Sequence, residues 1–168
     1  MCDHFRKSAW FLSNGIATGR GSEVPACGDM TRAGNLCVSS AGALVSLATS
    51  SDDRHPAEHM IDGNPETFWT TTGTFPQEFI ISLSGLQRIG KISIESSLIR
   101  NLKIYSSASK EAANFEPCVE RELEHVEGQF QTEEITLPGV QASHLRFVIV
   151  SGYDHFVCVR SVSAESAI

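Results

Sequence analysis

From Asn35 onward, apolar residues recur in short runs, many of them alternating with polar ones, which is the period of strands half-buried in a sheet. "RIGKISIES" sets Ile92 and Ile94 on one face, between Lys91, Ser93 and Glu95. "NLKIYSS" alternates Leu102 and Ile104 with Lys103 and Tyr105. "EFIISLS" is a compact apolar run, and "NLCVSS" and "ALVSLATS" are short strand candidates. "EEITLPG" ends on Pro138-Gly139, read here as a stop, and "HLRFVIVSG" and "HFVCVRSVSAE" close the chain. These runs are bounded by Gly, Pro, Ser, Asp and Asn. "PCVERELEHVEGQ" is ambiguous: Val119, Leu123 and Val126 fall at helical spacing, yet a polar-faced strand also fits. With no long amphipathic helix to cover a parallel sheet, the pattern predicts an all-β sandwich.

Residues 1–32 break the pattern. "SNGIATGRGSEVPACGDMTRAG" is rich in Gly, Ser and Ala and has neither helical nor strand periodicity, so it is expected to be a mobile or loosely docked extension. Met30 just precedes the patterned part and is an alternative start; a domain is expected over residues 33–168. The whole chain of 168 residues is enough for one domain with a real core.

Composition narrows the function. Thirteen basic against twenty acidic residues give a formal charge of −7, which argues against nucleic-acid binding as the main role. No run approaches the roughly 18 apolar residues that a membrane span needs. The five cysteines are scattered with no C-x-x-C, no N-x-S/T sequon occurs, and the opening residues lack a continuous apolar leader core. Together these favour the cell interior.

The chemistry concentrates in "HPAEHMIDGNPETFWTTTG", residues 55–73. His55, Glu58 and His59 spell H-x-x-E-H, a zinc-peptidase order that requires both histidines on one face of a stable helix. Pro56 and the Asp62-Gly63-Asn64-Pro65 turn leave barely two turns of helix, and no third ligand follows on a long helix, so the zinc reading is rejected. Asp62, Asn64 and Thr67 instead space oxygen atoms as a loop around a hard cation would, with Gly63 permitting the bend. It is not an EF-hand, because the twelfth position from Asp62 is Gly73. A plain Asp-Gly turn satisfying its own backbone remains the competing explanation. No G-x-S-x-G, catalytic cysteine signature or phosphate-cradling loop is present, the acidic run at Glu120, Glu122, Glu124 and Glu127 reads as a solvated face, and Phe68-Trp69 reads as core.

Two segments together, "ATSSDDRHPAEHMIDGNPETFWTT" and "HLRFVIVSGYDHFVCVRSVSAE", resemble the galactose-binding-like, or discoidin-type, family over roughly residues 35–166. The resemblance implies a jelly-roll β-sandwich of about eight main strands and a structural Ca²⁺. The implied ligands are the His59 carbonyl, Asp62, Asn64, Thr67, the Ala164 carbonyl and Glu165. "IDGNPETFWTTTGTFPQEFII", "YDHF" and "SVSAE" are further similar to the small ciliary transport subunits of this fold. That similarity implies a non-catalytic subunit of the intraflagellar transport B complex in cytoplasm and cilium. Its implied partners are a Rab-like small GTPase (intraflagellar transport protein twenty-seven) and other intraflagellar transport B subunits. The alternative is a carbohydrate- or phospholipid-binding module, though Arg54, His55 and Phe75 form no convincing cluster in sequence. A crystallin-type chaperone is not supported: neither its edge segment nor an I-x-I/V tail occurs. Secreted relatives often join their ends by a disulfide; here Cys37 and Cys158 are expected to be free buried thiols.

Overall fold

The computed structural model describes residues 34–168. The expected extension over 1–32, with Met30, lies outside the described residues. Seven strands follow in chain order: β1 Leu44–Ala48, β2 Trp69–Thr70, β3 Gln77–Ser97, β4 Ile99–Ser107, β5 Glu116–Glu122, β6 Gln131–Gly152 and β7 Cys158–Ser166. All pairings are antiparallel, in the order β2-β7-β3-β6-β4-β5, with β1 on the free edge of β3.

Two long strands make the sandwich. The first part of β3 pairs with β1 and with the end of β6, for example Phe79 opposite Ala48 and Phe147. Its second part pairs with β7 and with the start of β6, where Ile92 faces Ala164 and Ile135. One layer is therefore β1-β3-β6-β4-β5 and the other β2-β7-β3-β6, both sharing β3 and β6. The register shifts between Ser82 and Gln87 and between Ile89 and Lys91, where β3 passes from one layer to the other. Such irregularities bend a strand and increase its twist.

The alternation predicts the burial well. Ile92 and Ile94 are fully buried on β3, and Leu102 and Ile104 are buried on β4. Trp69, Phe79 and Phe147 form the aromatic centre, with Trp69 edge-on to Phe79 (5.4 Å) and Phe79 stacked on Phe147 (4.8 Å). The Trp69 indole N–H donates to the Ser50 carbonyl at 3.1 Å, so its polar atom is not stranded in the core.

The structure departs from the sequence reading in two respects and settles one ambiguity. "EFIISLS" and "RIGKISIES" are one strand, as are "EEITLPG" and "HLRFVIVSG": Pro138-Gly139 bends β6 without ending it. "PCVERELEHVEGQ" resolves as strand at Glu116–Glu122. "NLCVSS" is not a strand; its end forms a 3₁₀ turn, Ser39–Ala41. Gly42 closes that turn in the left-handed region, while the Leu36 N–H bonds the Ala164 carbonyl at 2.8 Å.

Candidate functional site

The Asp62 loop is held from beneath by a single 3₁₀ turn, Ala57–Met60, whose Ala57 and Met60 side chains are buried. Pro56 precedes the turn in an extended conformation, and the Ile61 N–H bonds the Glu58 carbonyl at 3.1 Å. Met60 and Ile61 point into the core, which leaves Asp62 at the surface at the start of the bend. Gly63 has φ +75°, a conformation an L side chain rarely adopts, so this bend needs its glycine.

Within the loop, Asp62 is the hub. One carboxylate oxygen accepts the Asn64 N–H at 2.8 Å and the other accepts the Thr67 hydroxyl at 2.6 Å. The Asn64 side-chain oxygen accepts the Glu66 N–H at 2.9 Å. These are the local bonds of an Asp-Gly turn. Each bonded oxygen keeps lone-pair capacity for a further partner.

The remaining expected ligands lie on β7 and on the turn. Ala164 is fully buried; its N–H donates to the Asn35 side chain at 3.1 Å and its carbonyl accepts the Leu36 N–H. Glu165 follows, exposed and opposite Lys91. The 3₁₀ turn carrying His59 packs against β7 and β2. The fold thus joins Asp62, Asn64 and Thr67 in one hydrogen-bonded loop and seats the His59 turn on the strand that bears Ala164 and Glu165. The donor set is all oxygen, which suits Ca²⁺ rather than Zn²⁺.

The H-x-x-E-H side chains do different work. His59 Nδ1–H donates to the Phe68 carbonyl (3.2 Å), and the His55 ring stacks on the Phe68 ring at 4.1 Å. Among the described residues no group of three or more His, Cys, Asp or Glu is gathered for a metal. Trp69 lies in the core as expected, whereas Phe68 is only half-buried.

A second feature escaped the sequence reading. The loop from β2 to β3 and the loop from β6 to β7 enclose an open cleft of about 670 Å³. Phe75, Tyr153, Asp154 and His155 line it together with Thr72, Thr74 and Ser151. Tyr153 is fixed by its hydroxyl on the Leu123 carbonyl (2.6 Å) and its N–H on the Leu98 carbonyl (2.8 Å). Gly152 is needed for close approach: a Cβ there would lie 2.7 Å from Phe75 Cζ and 2.9 Å from the Leu98 carbonyl oxygen.

Ser82 Oγ lies 2.8 Å from His144 Nδ1. Both residues are buried, and His144 Nε2 lies 3.2 Å from the Lys110 carbonyl, which can only accept. Nε2 therefore carries a proton, and Ser82 Oγ also bonds Ser46 Oγ at 2.9 Å, in a buried network that holds the 108–115 loop rather than one opening on a cleft. Cys37 is free and buried, Cys158 is buried with its Sγ 3.7 Å from the Thr70 hydroxyl, and Cys118 is free and half-buried. Burial pushes the Cys37 thiol up to about 12, so it stays protonated and inert.

Residues 46–161 match the family model of the F5/8 type C domain. The intraflagellar transport protein 25 homolog of Homo sapiens is 55% identical over 134 residues, covering 80% of this chain and 93% of the human protein. Intraflagellar transport protein 25 of Chlamydomonas reinhardtii is 38% identical over 122 residues, covering 73% of this chain and 64% of its own length. Among solved structures, the family 32 CBM from C. perfringens NanJ in complex with galactose superposes with a TM-score of 0.66. It is 19% identical and covers 77% of this chain and 96% of its own. CpGH89CBM32-5 from Clostridium perfringens, in complex with GalNAc-β-1,3-galactose, gives 0.68 at 19% identity, covering 79% and 100%. At that identity the likeness is one of fold.

Proposed function

The chain belongs to the F5/8 type C domain family and, within it, to the intraflagellar transport protein 25 family. From that premise we propose that it is a non-catalytic adaptor of the intraflagellar transport B complex, acting in cytoplasm and cilium. It pairs with a Rab-like small GTPase, intraflagellar transport protein twenty-seven, and through it with other subunits of the complex. The observation that carries this reading is 55% identity to the human homolog across 93% of that protein's length. Relatedness of that extent covers whole surfaces, not an isolated motif. Among the described residues no helix is long and apolar enough to cross a membrane. Affinity purification of the tagged chain from ciliated cells should recover a small GTPase in near-stoichiometric amount with transport-complex subunits; recovery of neither would overturn the adaptor reading.

A structural Ca²⁺ belongs to the same proposal. Asp62, Asn64 and Thr67 would hold it from the loop, with the His59 carbonyl, and the Ala164 carbonyl and Glu165 from β7. Two carboxylates would balance the divalent charge, and the ion would tie the early loop to the last strand. What supports it is the Asp62 loop, which joins Asp62, Asn64 and Thr67 by hydrogen bonds and offers only oxygen as donors.

A second reading is favoured by the cleft beside Phe75. A cleft lined by aromatic and polar residues suits a sugar, and two related folds were solved with galactose-containing ligands. Calorimetric titration with galactose and a glycan array would test it, saturable binding lost in Phe75→Ala being the supporting result.

A further inference from the structure

The two outer faces of the sandwich differ in kind. On the layer containing β7, the outward residues are Lys91, Ser93 and Glu95 on β3, opposite Glu165, Ser163 and Ser161. That is an ordinary solvated face. On the other layer the register lines up a row across five strands: Leu47 on β1, Ile80 on β3, Arg146 on β6, Tyr105 on β4 and Pro117 on β5. Their neighbours Phe79, Ile81, Leu145 and Phe147 are buried in the core, so by alternation this row faces outward. Leu44 lies on one side of the row and Val148 on the other. Leu47 is 41% exposed and Leu44 54%, whereas Ile80 is buried, and beside Leu44 the Ser82, His144 and Ser107 positions are closed by the loop whose Lys110 carbonyl meets His144.

The charges on this face are already neutralised. Arg146 Nε bonds a Glu78 oxygen at 3.0 Å, and its guanidinium lies 5.6 Å above the Tyr105 ring. Lys103 lies 3.6 Å from Glu120. Two cations and two carboxylates cancel, so nothing here attracts an anionic lipid or nucleic acid, and burial under an apolar surface leaves no ion unpaired.

We infer that this outer face of the β1-β3-β6-β4-β5 layer is the docking surface for the adaptor's folded protein partner, an inference that rests on the reading above. Size identifies what else the partner must touch. Five strands about 4.8 Å apart and the two rows left open span about 24 by 13 Å, roughly 300 Å². A stable pair needs about 800 Å² from each side. The contact must therefore spread past an edge. Beside β5 the flank carries Glu116, Glu122 and Glu124, all exposed, with the cation Arg100 committed to Glu122 (3.1 Å). The occupant that fits has an apolar centre and a basic flank over β5. A second copy of this chain, itself at −7, fits poorly.

The test is calorimetric titration of the full chain with the purified Rab-like GTPase. Leu47→Glu and Val148→Glu each place a carboxylate in the row, and Thr132→Glu places one on an exposed position of the polar layer. The melting temperature of each free variant is recorded, and Leu47, already at the surface, is the substitution least able to unfold the chain. At least a tenfold loss of affinity for Leu47→Glu, with Thr132→Glu unchanged, supports the inference. Binding by Leu47→Glu within twofold of the parent overturns the face while leaving the adaptor reading intact. If the parent chain binds no GTPase, the adaptor reading falls first and the inference with it. A homodimer of the chain alone, dissolved by Leu47→Glu in light scattering, overturns the choice of occupant.

Discussion

Replacing Asp62 by Ala separates an Asp-Gly turn from a cation loop, because the two explanations assign different energies to the same side chain. As a turn, Asp62 contributes two hydrogen bonds, to the Asn64 N–H and the Thr67 hydroxyl. Asn64 is exposed and Thr67 half-buried, so both donors can turn to water and each bond is worth no more than the low end of the usual ~0.5–1.5 kcal/mol. Asp62→Ala should then cost about 1 kcal/mol in chelated buffer, a fall of roughly 3 °C for a domain of this size. As a ligand, Asp62 also supports whatever stability the ion adds. At a hundredfold excess over Kd that is about 2.7 kcal/mol, or roughly 8 °C.

Thermal unfolding with EDTA and with Ca²⁺, for the parent, Asp62→Ala and Asp62→Asn, reads both terms. The amide keeps one acceptor for the Asn64 N–H but no charge for the ion. Asp62→Asn should therefore melt above Asp62→Ala in EDTA, and both should lose the Ca²⁺ response. Mg²⁺, which demands a tighter octahedral cage, should shift the parent far less. A parent melting temperature unmoved by millimolar Ca²⁺, or an Asp62→Ala response equal to the parent's, refutes the clasp and leaves the turn as the full explanation.

Phe79→Ala removes a ring packed between Trp69 and Phe147 and should cost about 3–5 kcal/mol in urea titration. Gly152→Ala forces a Cβ against Phe75 and the Leu98 carbonyl, an overpacking of about 1–3 kcal/mol. Gly85→Ala, with nothing within 4 Å, should stay within about 0.5 kcal/mol. The Cys37 thiol, raised by burial from 9.0 to about 12, keeps its proton in the folded state while the unfolded chain loses it. Stability is therefore full below pH 9 and falls toward pH 12 by up to about 1.4 kcal/mol per pH unit. Urea midpoints measured from pH 8 to 11 should show this slope, and Cys37→Ala should lessen it.

What the sequence conveyed depended on how local each feature was. Ile92, Ile94, Leu102 and Ile104 alternate within single strands, and the Asp62-Gly63-Asn64 bend needs only its own residues, so these were legible. The two long strands were not, because Gly85 and Pro138-Gly139 look like stops while the register shift simply carries the chain from one layer to the other. Leu36 and Val38 imitated a strand, but the Leu36 N–H goes to Ala164, a partner more than a hundred residues away. Phe75 and Tyr153 meet in the cleft only through two separate loops. The outer row from Leu47 to Tyr105 and Arg146 is defined by register between strands, and no spacing along the chain encodes it.

That division of the fold has a mechanical consequence. The Asp62 loop rests on the turn packed mainly against β7 and β2, in the layer whose outer face is polar, and less against β1. The proposed docking row lies across the other layer, where Ile80, Arg146 and Tyr105 are held by the pairings of β3, β6 and β4. Ca²⁺ would thus stabilise the chain ends and β7 without touching the row. Stability and partner affinity should then respond independently. Asp62→Ala is expected to lose the Ca²⁺-dependent rise in melting temperature yet bind the GTPase within twofold of the parent, in EDTA and in Ca²⁺ alike. Leu47→Glu should do the reverse. A tenfold Ca²⁺ dependence of affinity, abolished by Asp62→Ala, would mean that the shared strands β3 and β6 transmit the state of the loop to the face, and the two layers could no longer be treated as separate devices.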